Sequence, residues 1–139
     1  MDANSKSGRI VSWVCRLTAA LILLQTLFFK FSAAPESVYI FTKVGMEPWG
    51  RYGSGVVELI AALLLLSRCH AWQGALLAIG VMGGAIASHL TVLGIEVQGD
   101  HGLLFGLALT VLFTSTMVVY LDRAKVPFLA RLFQSPGKS

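Results

Sequence analysis

Four apolar runs, 10–29, 53–67, 74–95 and 103–121, set the terms for any fold of this chain. At ~1.5 Å per residue each crosses, or nearly crosses, a ~30 Å hydrocarbon core. No water in such a core satisfies backbone N–H and C=O groups, so each run must bond within itself as a helix. None alternates with the period of two that a barrel strand requires. The expected fold is all-α: an integral membrane four-helix bundle forming a single domain over 1–139. Composition agrees. The 139 residues are 55% hydrophobic and 13% charged, with mean hydropathy +0.73, where soluble domains carry about 25% charge. A disordered chain, a disulfide scaffold and an ordinary soluble enzyme are excluded.

The first run follows Lys6 and Arg9 and precedes Ser32-Ala33-Ala34, an arrangement that imitates a secretory signal. Its length of ~20 residues suits a full span, and Pro35 would follow the cut, so it reads as a retained helix. Segment 30–52 mixes Val38, Ile40, Phe41 and Val44 with Glu36, Lys43 and Glu47. It is expected to be a short interfacial or reentrant piece between the first two spans. Turns are expected at 68–72 and 96–102. The tail, 122–139, is basic and amphipathic and is expected on the membrane surface.

Eleven Lys and Arg against seven Asp and Glu give a net charge of +4. The basic residues gather at span ends and tails rather than interleaving with aromatics, which argues against nucleic acid. Lys6, Arg9, Arg16, Arg68, Arg123, Lys125, Arg131 and Lys138 fall on one side, and only Lys30, Lys43 and Arg51 on the other. The positive-inside rule then makes both termini cytoplasmic, with Arg16 snorkelling to the inner interface. Cys15 and Cys69 form no C-x-x-C and match no zinc spacing.

Ionisable groups within a span are costly and mark the places to search for function. Counted from the span ends, Gln25, Glu58 and His89 lie ~7–9 Å below the outer surface, one polar layer drawn from three helices. Lys30, Glu96, Asp100 and His101 make a second layer at the outer mouth. Ser54, Gly55, Ala61 and Ala62 surround Glu58 at helical spacing, which marks an interior face. Gly80, Gly84 and Ser88, and likewise Gly102 and Gly106, repeat at four and are expected to bring helices close. A pocket open toward the outer face and rimmed by Phe28, Phe29 and Phe105 follows from this arrangement. Plainer roles stand beside it. Glu58 can pair with Lys30 or bond Gln25 to lock the bundle, His89 can satisfy a buried partner, and Glu96, Asp100 and His101 can be a solvated loop. A carboxylate beside an imidazole in low dielectric offers a proton donor and acceptor. That pair could hold a quinone head group, relay protons or bind another polar molecule. No spacing motif supports a metal on His89, Glu58 and His101.

The step Phe29-Lys30-Phe31, the run Gly53-Ser54-Gly55-Val56-Val57-Glu58-Leu59 and the step Ser88-His89-Leu90 together resemble the DoxX family of small bacterial four-helix membrane proteins. The resemblance covers 9–125. It implies a multi-pass protein of the bacterial plasma membrane, tied to redox processes through a quinone-reducing thiosulfate oxidoreductase, with functional positions at Lys30, Glu58 and His89. The lack of a cysteine near the polar layer speaks against thiol chemistry there.

Three function classes remain open at this level, and the sequence assigns no catalytic residue. One is a quinone-interacting or redox-complex component, with Glu58 and His89 handling protons and Lys30 holding an anionic group. Another is a non-catalytic accessory subunit packed against a larger membrane complex. The third is a small-molecule or lipid-binding membrane protein.

Overall fold

The structure, a computed structural model, describes residues 4–133. Helix α1 spans Lys6–Phe31, α2 Pro35–Val44, α3 Trp49–Leu66 and α4 Ala71–Leu93, whose last turn, His89–Leu93, is π-helical. Helix α5 spans Leu103–Leu121 and α6 Pro127–Phe133. Among the described residues there is no strand, and α1, α3, α4 and α5 are long and apolar enough to cross a membrane. The chain is an all-α, membrane-embedded four-helix bundle.

Local chemistry sets the helix ends. Ser5 accepts a hydrogen bond from the Gly8 N–H at 2.9 Å and starts α1 four residues before the apolar run. Pro35 occupies the first turn of α2, where its missing N–H costs nothing. Gly45 ends α2 at φ 84°, and the Met46 N–H reaches back to the Phe41 carbonyl. The expected interfacial segment is therefore a true helix of 10 residues, seated across one end of the bundle against α1, α3 and the π-turn of α4. Helix α3 begins at Trp49, ahead of the expected 53, directly after a cis Glu47–Pro48 bond. The tail forms α6, tied down by buried Val126, with Phe128 and Leu132 exposed. Residues 134–139, with Lys138, lie outside the described residues.

Lys30, ending α1, meets Arg51, opening α3, while Arg16 near the start of α1 meets Leu65 at the end of α3. The two helices therefore run antiparallel. Helix α1 packs on α3 and α5, and α4 packs on the same two, so α1 and α4 stand diagonally. Small side chains make the tight contacts: Ala19, Ala20, Ala61, Ala62, Ala75 and Ala78 are all buried with Leu23, Leu65, Val111 and Val118. This core fills the half of the bundle away from α2. Leu21, Phe28, Leu63, Leu90 and Phe113 face outward, as a lipid-facing surface requires.

Arg16 does not snorkel. It is buried, with its Nε donating to the Leu65 carbonyl at 2.5 Å, a second nitrogen donating to the Ser67 carbonyl, and its guanidinium over the Trp13 ring. The free carbonyls and negative dipole end of α3 supply what water would have supplied at the interface.

The glycines also act differently from expectation. A Cβ on Gly80, Gly84 or Gly106 would meet nothing within 4 Å, so these residues bring no helices together. The close approach is at Gly74, where a Cβ would stand 2.6 Å from the Ala61 carbonyl oxygen and 2.7 Å from the Leu65 nitrogen. Gly74→Ala is expected to cost about 1–3 kcal/mol by overpacking. Gly83→Ala, also facing open space, should cost nothing or stabilise slightly through helix propensity. Unfolding of both variants in one detergent separates them, and equal stability would contradict the crossing at Gly74.

Candidate functional site

The half of the bundle beneath α2 is hollow. A cavity of about 530 Å³ lies there, walled by α1, α3, α4 and α5 and covered by α2. Its walls are mostly apolar, from Leu23, Phe29, Ile40, Phe41, Met82, Leu104 and Leu107, and its polar groups are few. Such a volume and composition fall within the ~300–1,000 Å³ range of small-molecule sites. Gly80 and Gly84 line it, and with no side chain they make room for it. Gln25 and Leu103, exposed residues that also line it, mark where it reaches the bundle surface.

Glu58 is the most deeply buried charge, with 1% of its surface exposed. Lys30 Nζ donates to its Oε1 at 2.5 Å and Thr26 Oγ1 to its Oε2 at 3.2 Å. The ammonium also lies 5.6 Å from the centre of the Phe41 ring on α2. Pairing is what permits a carboxylate here, since an isolated charge in low dielectric is prohibitively costly. Arg51, buried beside this pair, holds Glu47 through Nε and Nη2 at 2.8–3.0 Å and donates from Nη1 to the Lys30 carbonyl. Lys30 is thus fixed at both ends. Its side chain is held by α3 from inside and its carbonyl, one of the free ones at the end of α1, by α3 from outside.

His89 occupies the first position of the π-turn and is buried. Its Nδ1 lies 2.8 Å from the Gly94 carbonyl oxygen, and its ring meets Phe105 edge-on at 5.5 Å. A carbonyl only accepts, so Nδ1 carries the proton, and in the neutral ring Nε2 is a bare acceptor. Among the described residues Nε2 has no partner, yet it is not sealed away from open space. His89 lines the cavity, and Nε2 is its ring nitrogen without a partner. The π-turn makes this possible: the extra residue per turn brings the Gly94 N–H back to the His89 carbonyl at 2.8 Å and places the Gly94 carbonyl at the ring.

Of the other expected residues, Gln25 shares the cavity with Glu58 and His89 but stands at its edge, and the partner of Glu58 is Thr26 rather than Gln25. No hydrogen bond joins Glu58 to His89. Glu96 and His101 lie outside the cavity, with side chains 56% and 92% exposed and 4.0 Å apart. Asp100 organises the loop. Its Oδ1 accepts from the Val97 and Gly102 N–H groups and its Oδ2 from Leu104 N–H, which caps α5. Partial burial pushes this carboxyl up, but the three N–H donors outweigh it and hold it below the usual carboxylate range. Of the expected rim, Phe29 lines the cavity, Phe28 is 70% exposed on the outer surface and Phe105 backs His89.

Thr26, Arg51 with Glu47, and Glu36 were not singled out as site residues from the sequence. The four-residue spacing of Glu47 and Arg51 is a helical ion-pair signal that could have found them. Glu36 lines the cavity from the first turn of α2. Among the described residues no three His, Cys, Asp or Glu side chains cluster to hold a metal ion. The chain matches no family model, no curated protein and no solved structure.

Glu58→Gln leaves the Lys30 ammonium buried without a counter-charge and is expected to cost about 3–5 kcal/mol. The double change Lys30→Met with Glu58→Leu should recover most of that loss. A double-mutant cycle of unfolding in detergent reads the coupling, and additive effects would contradict the pair. The lowered Asp100 carboxyl stabilises the fold fully above the ordinary carboxylate range, and that contribution disappears as pH falls through its depressed value. Asp100→Asn, whose amide NH2 cannot accept from the N–H groups that both carboxylate oxygens serve, is expected to cost about 1 kcal/mol at neutral pH and to flatten the acid limb of unfolding midpoint against pH.

Proposed function

We propose that this chain is a quinone-interacting component of a membrane redox system, holding the ring of an amphiphilic quinone beneath α2. The observation that carries this reading is His89, which lines an apolar-walled cavity that reaches the bundle surface and whose Nε2 has no partner among the described residues. An apolar tail would follow the leucine-lined wall outward while the ring meets the few polar groups. Imidazole accepts a proton from a quinol hydroxyl, and imidazolium donates one to a quinone oxygen, so one side chain serves both oxidation states. Lys30 and Glu58 hold the wall in shape and set its field. Cys15 sits in the packed core of the opposite half and Cys69 in the exposed α3–α4 turn, so electrons would come from a partner subunit rather than from these thiols. The similarity of the Lys30, Glu58 and His89 segments to the DoxX family supports the redox reading and a bacterial plasma membrane. The Lys and Arg distribution supports cytoplasmic termini.

A second reading, an accessory subunit of a larger complex, has its own observation. Helix α4 is the least buried of the four spans, and Gly83, Ala87 and Leu90 share an exposed face on it at helical spacing, a surface suited to a further transmembrane helix. The two readings are compatible. Protein extracted from native membranes in mild detergent is expected to carry quinone detectable by mass spectrometry. His89→Ala should lower occupancy at least tenfold while the unfolding midpoint stays near that of the parent. Unchanged occupancy in His89→Ala, or a bulk-like lipid profile with no quinone, would refute the quinone reading.

A further inference from the structure

We infer that the cavity opens sideways into the hydrocarbon, through a slot between α1 and α5 in the half beneath α2, and that a membrane-borne ligand enters there and leaves its apolar chain in the slot. This rests on the quinone reading and adds the kind of quinone taken and its route.

Each side of the slot is fixed by what the rest of its helix touches. On α1, Thr26 and Lys30 turn to α3, where both meet Glu58. Gln25 and Phe29 each stand one residue earlier, ~100° around the helix. Arg16, which also reaches α3, falls on the other side of Thr26 by the same rotation. Gln25 and Phe29 are therefore on the flank away from α3, and the other span packed against α1 is α5. On α5, Phe105 meets His89 of α4. Leu103 and Leu107 lie two residues to either side of it, ~160° away, on the flank turned from α4 toward α1. All four line the cavity, with Gln25, Phe29 and Leu103 exposed and Leu107 half-buried. The contiguous packed cluster stops at Leu23 on α1 and at Ala108 on α5. Leu27, buried beyond that level, follows Thr26 on the α3 side and does not close the seam.

The end of the cavity is shut by contrast. Ile40, Phe41 and Val44 of α2 form that wall, and α2 packs on α1, α3 and the π-turn. A molecule arriving from water meets this helix, whereas one dissolved in the bilayer meets the slot. Gln25 indicates what kind of molecule that is. It lies six residues before Phe31, the last of α1, or ~9 Å inside the span. Its amide makes no hydrogen bond among the described residues, and a bare amide in apolar surroundings costs about 1–3 kcal/mol. Acyl chains cannot relieve that cost, but an amphiphile with its polar end seated just inside can. Size points the same way. The volume of about 530 Å³ encloses a substituted ring but not a long polyisoprenoid chain as well. Such a chain gains nothing by exchanging lipid for an apolar wall and loses rotamer freedom when packed inside. With the slot, only the ring leaves the bilayer.

The test uses the full chain in nanodiscs. Binding of a radiolabelled, fully substituted benzoquinone with methyl in place of a chain is read by equilibrium dialysis against empty nanodiscs. A polyisoprenoid quinone carrying the same ring, dosed as a mole fraction of the lipid, competes. It is expected to displace the chainless ring from the parent. Gln25→Trp and Leu103→Trp narrow the slot from either side. Both should bind the chainless ring within threefold of the parent yet require at least tenfold more long-chain competitor, while Gly84→Leu, on the α3 side of α4, leaves the competition unchanged. Failure of the long-chain quinone to compete in the parent, or unchanged competition in both Trp variants, overturns this inference and leaves the quinone reading standing. So does a loss of competition confined to Gly84→Leu, which places the opening between α3 and α4. No binding of the chainless ring by the parent overturns both.

Discussion

The seam between α1 and α3 is where the membrane exacts its strictest condition, that no charge stay unpaired in low dielectric, and the rest of the molecule is arranged around how that condition is met. Lys30 closes on Glu58 across the seam. At either end an arginine reaches over to the carbonyl end of the antiparallel neighbour. Arg51 of α3 takes the Lys30 carbonyl of α1, and Arg16 of α1 takes the Leu65 and Ser67 carbonyls of α3. The same move is made twice in opposite directions. Each guanidinium finds carbonyls that a helix end leaves free and a dipole of favourable sign. Together these contacts fix the register of two helices whose remaining contacts, largely alanine against alanine, carry little directional information.

With the seam fixed, the two halves of the bundle diverge. Alanines and Gly74 close the half containing Arg16, where the α3–α4 crossing is so tight that a single Cβ would collide with backbone. In the half containing Lys30 the same class of residue has the opposite effect. Gly80 and Gly84 face no neighbour and leave the space open. Helix α2 then lies across this open half, stopped at one end by Ala33 at φ 53° and at the other by Gly45. The proline start and the glycine stop make the cover a helix with defined ends.

The chemistry of the site follows from which polar atoms this packing engages. Glu58, the charge most conspicuous in a hydrophobic run, is paired with Lys30 and bonded by Thr26, which gives it an architectural part. His89 is conspicuous for its π-turn, which binds one ring nitrogen to Gly94 and leaves the other for the cavity. Irregular helix turns of this kind recur at functional positions because they redirect one side chain without ending the helix. Asp100 gives its oxygens to three backbone N–H groups, and so a charged residue near the cavity mouth becomes part of the loop that starts α5.

Spans, helix order and the shared level of Gln25, Glu58 and His89 along the bundle were legible in the sequence because they depend on one-dimensional quantities: run length, rise per residue and the cost of backbone groups in hydrocarbon. The small residues around Glu58 marked its interior face for the same reason. Direction around a helix was less legible. Gln25 and Thr26 share a depth but point ~100° apart, and the neighbour across the seam settled that Thr26 bonds Glu58. Glycine spacing could not say whether Gly74 or Gly80 closes a crossing, because a missing side chain permits contact and emptiness equally. Nor could a count of charges show that Arg16 caps a distant helix, that Asp100 closes a loop or that Glu36 lines a cavity. Each depends on partners far along the chain, and only three-dimensional packing brings those within hydrogen-bonding distance.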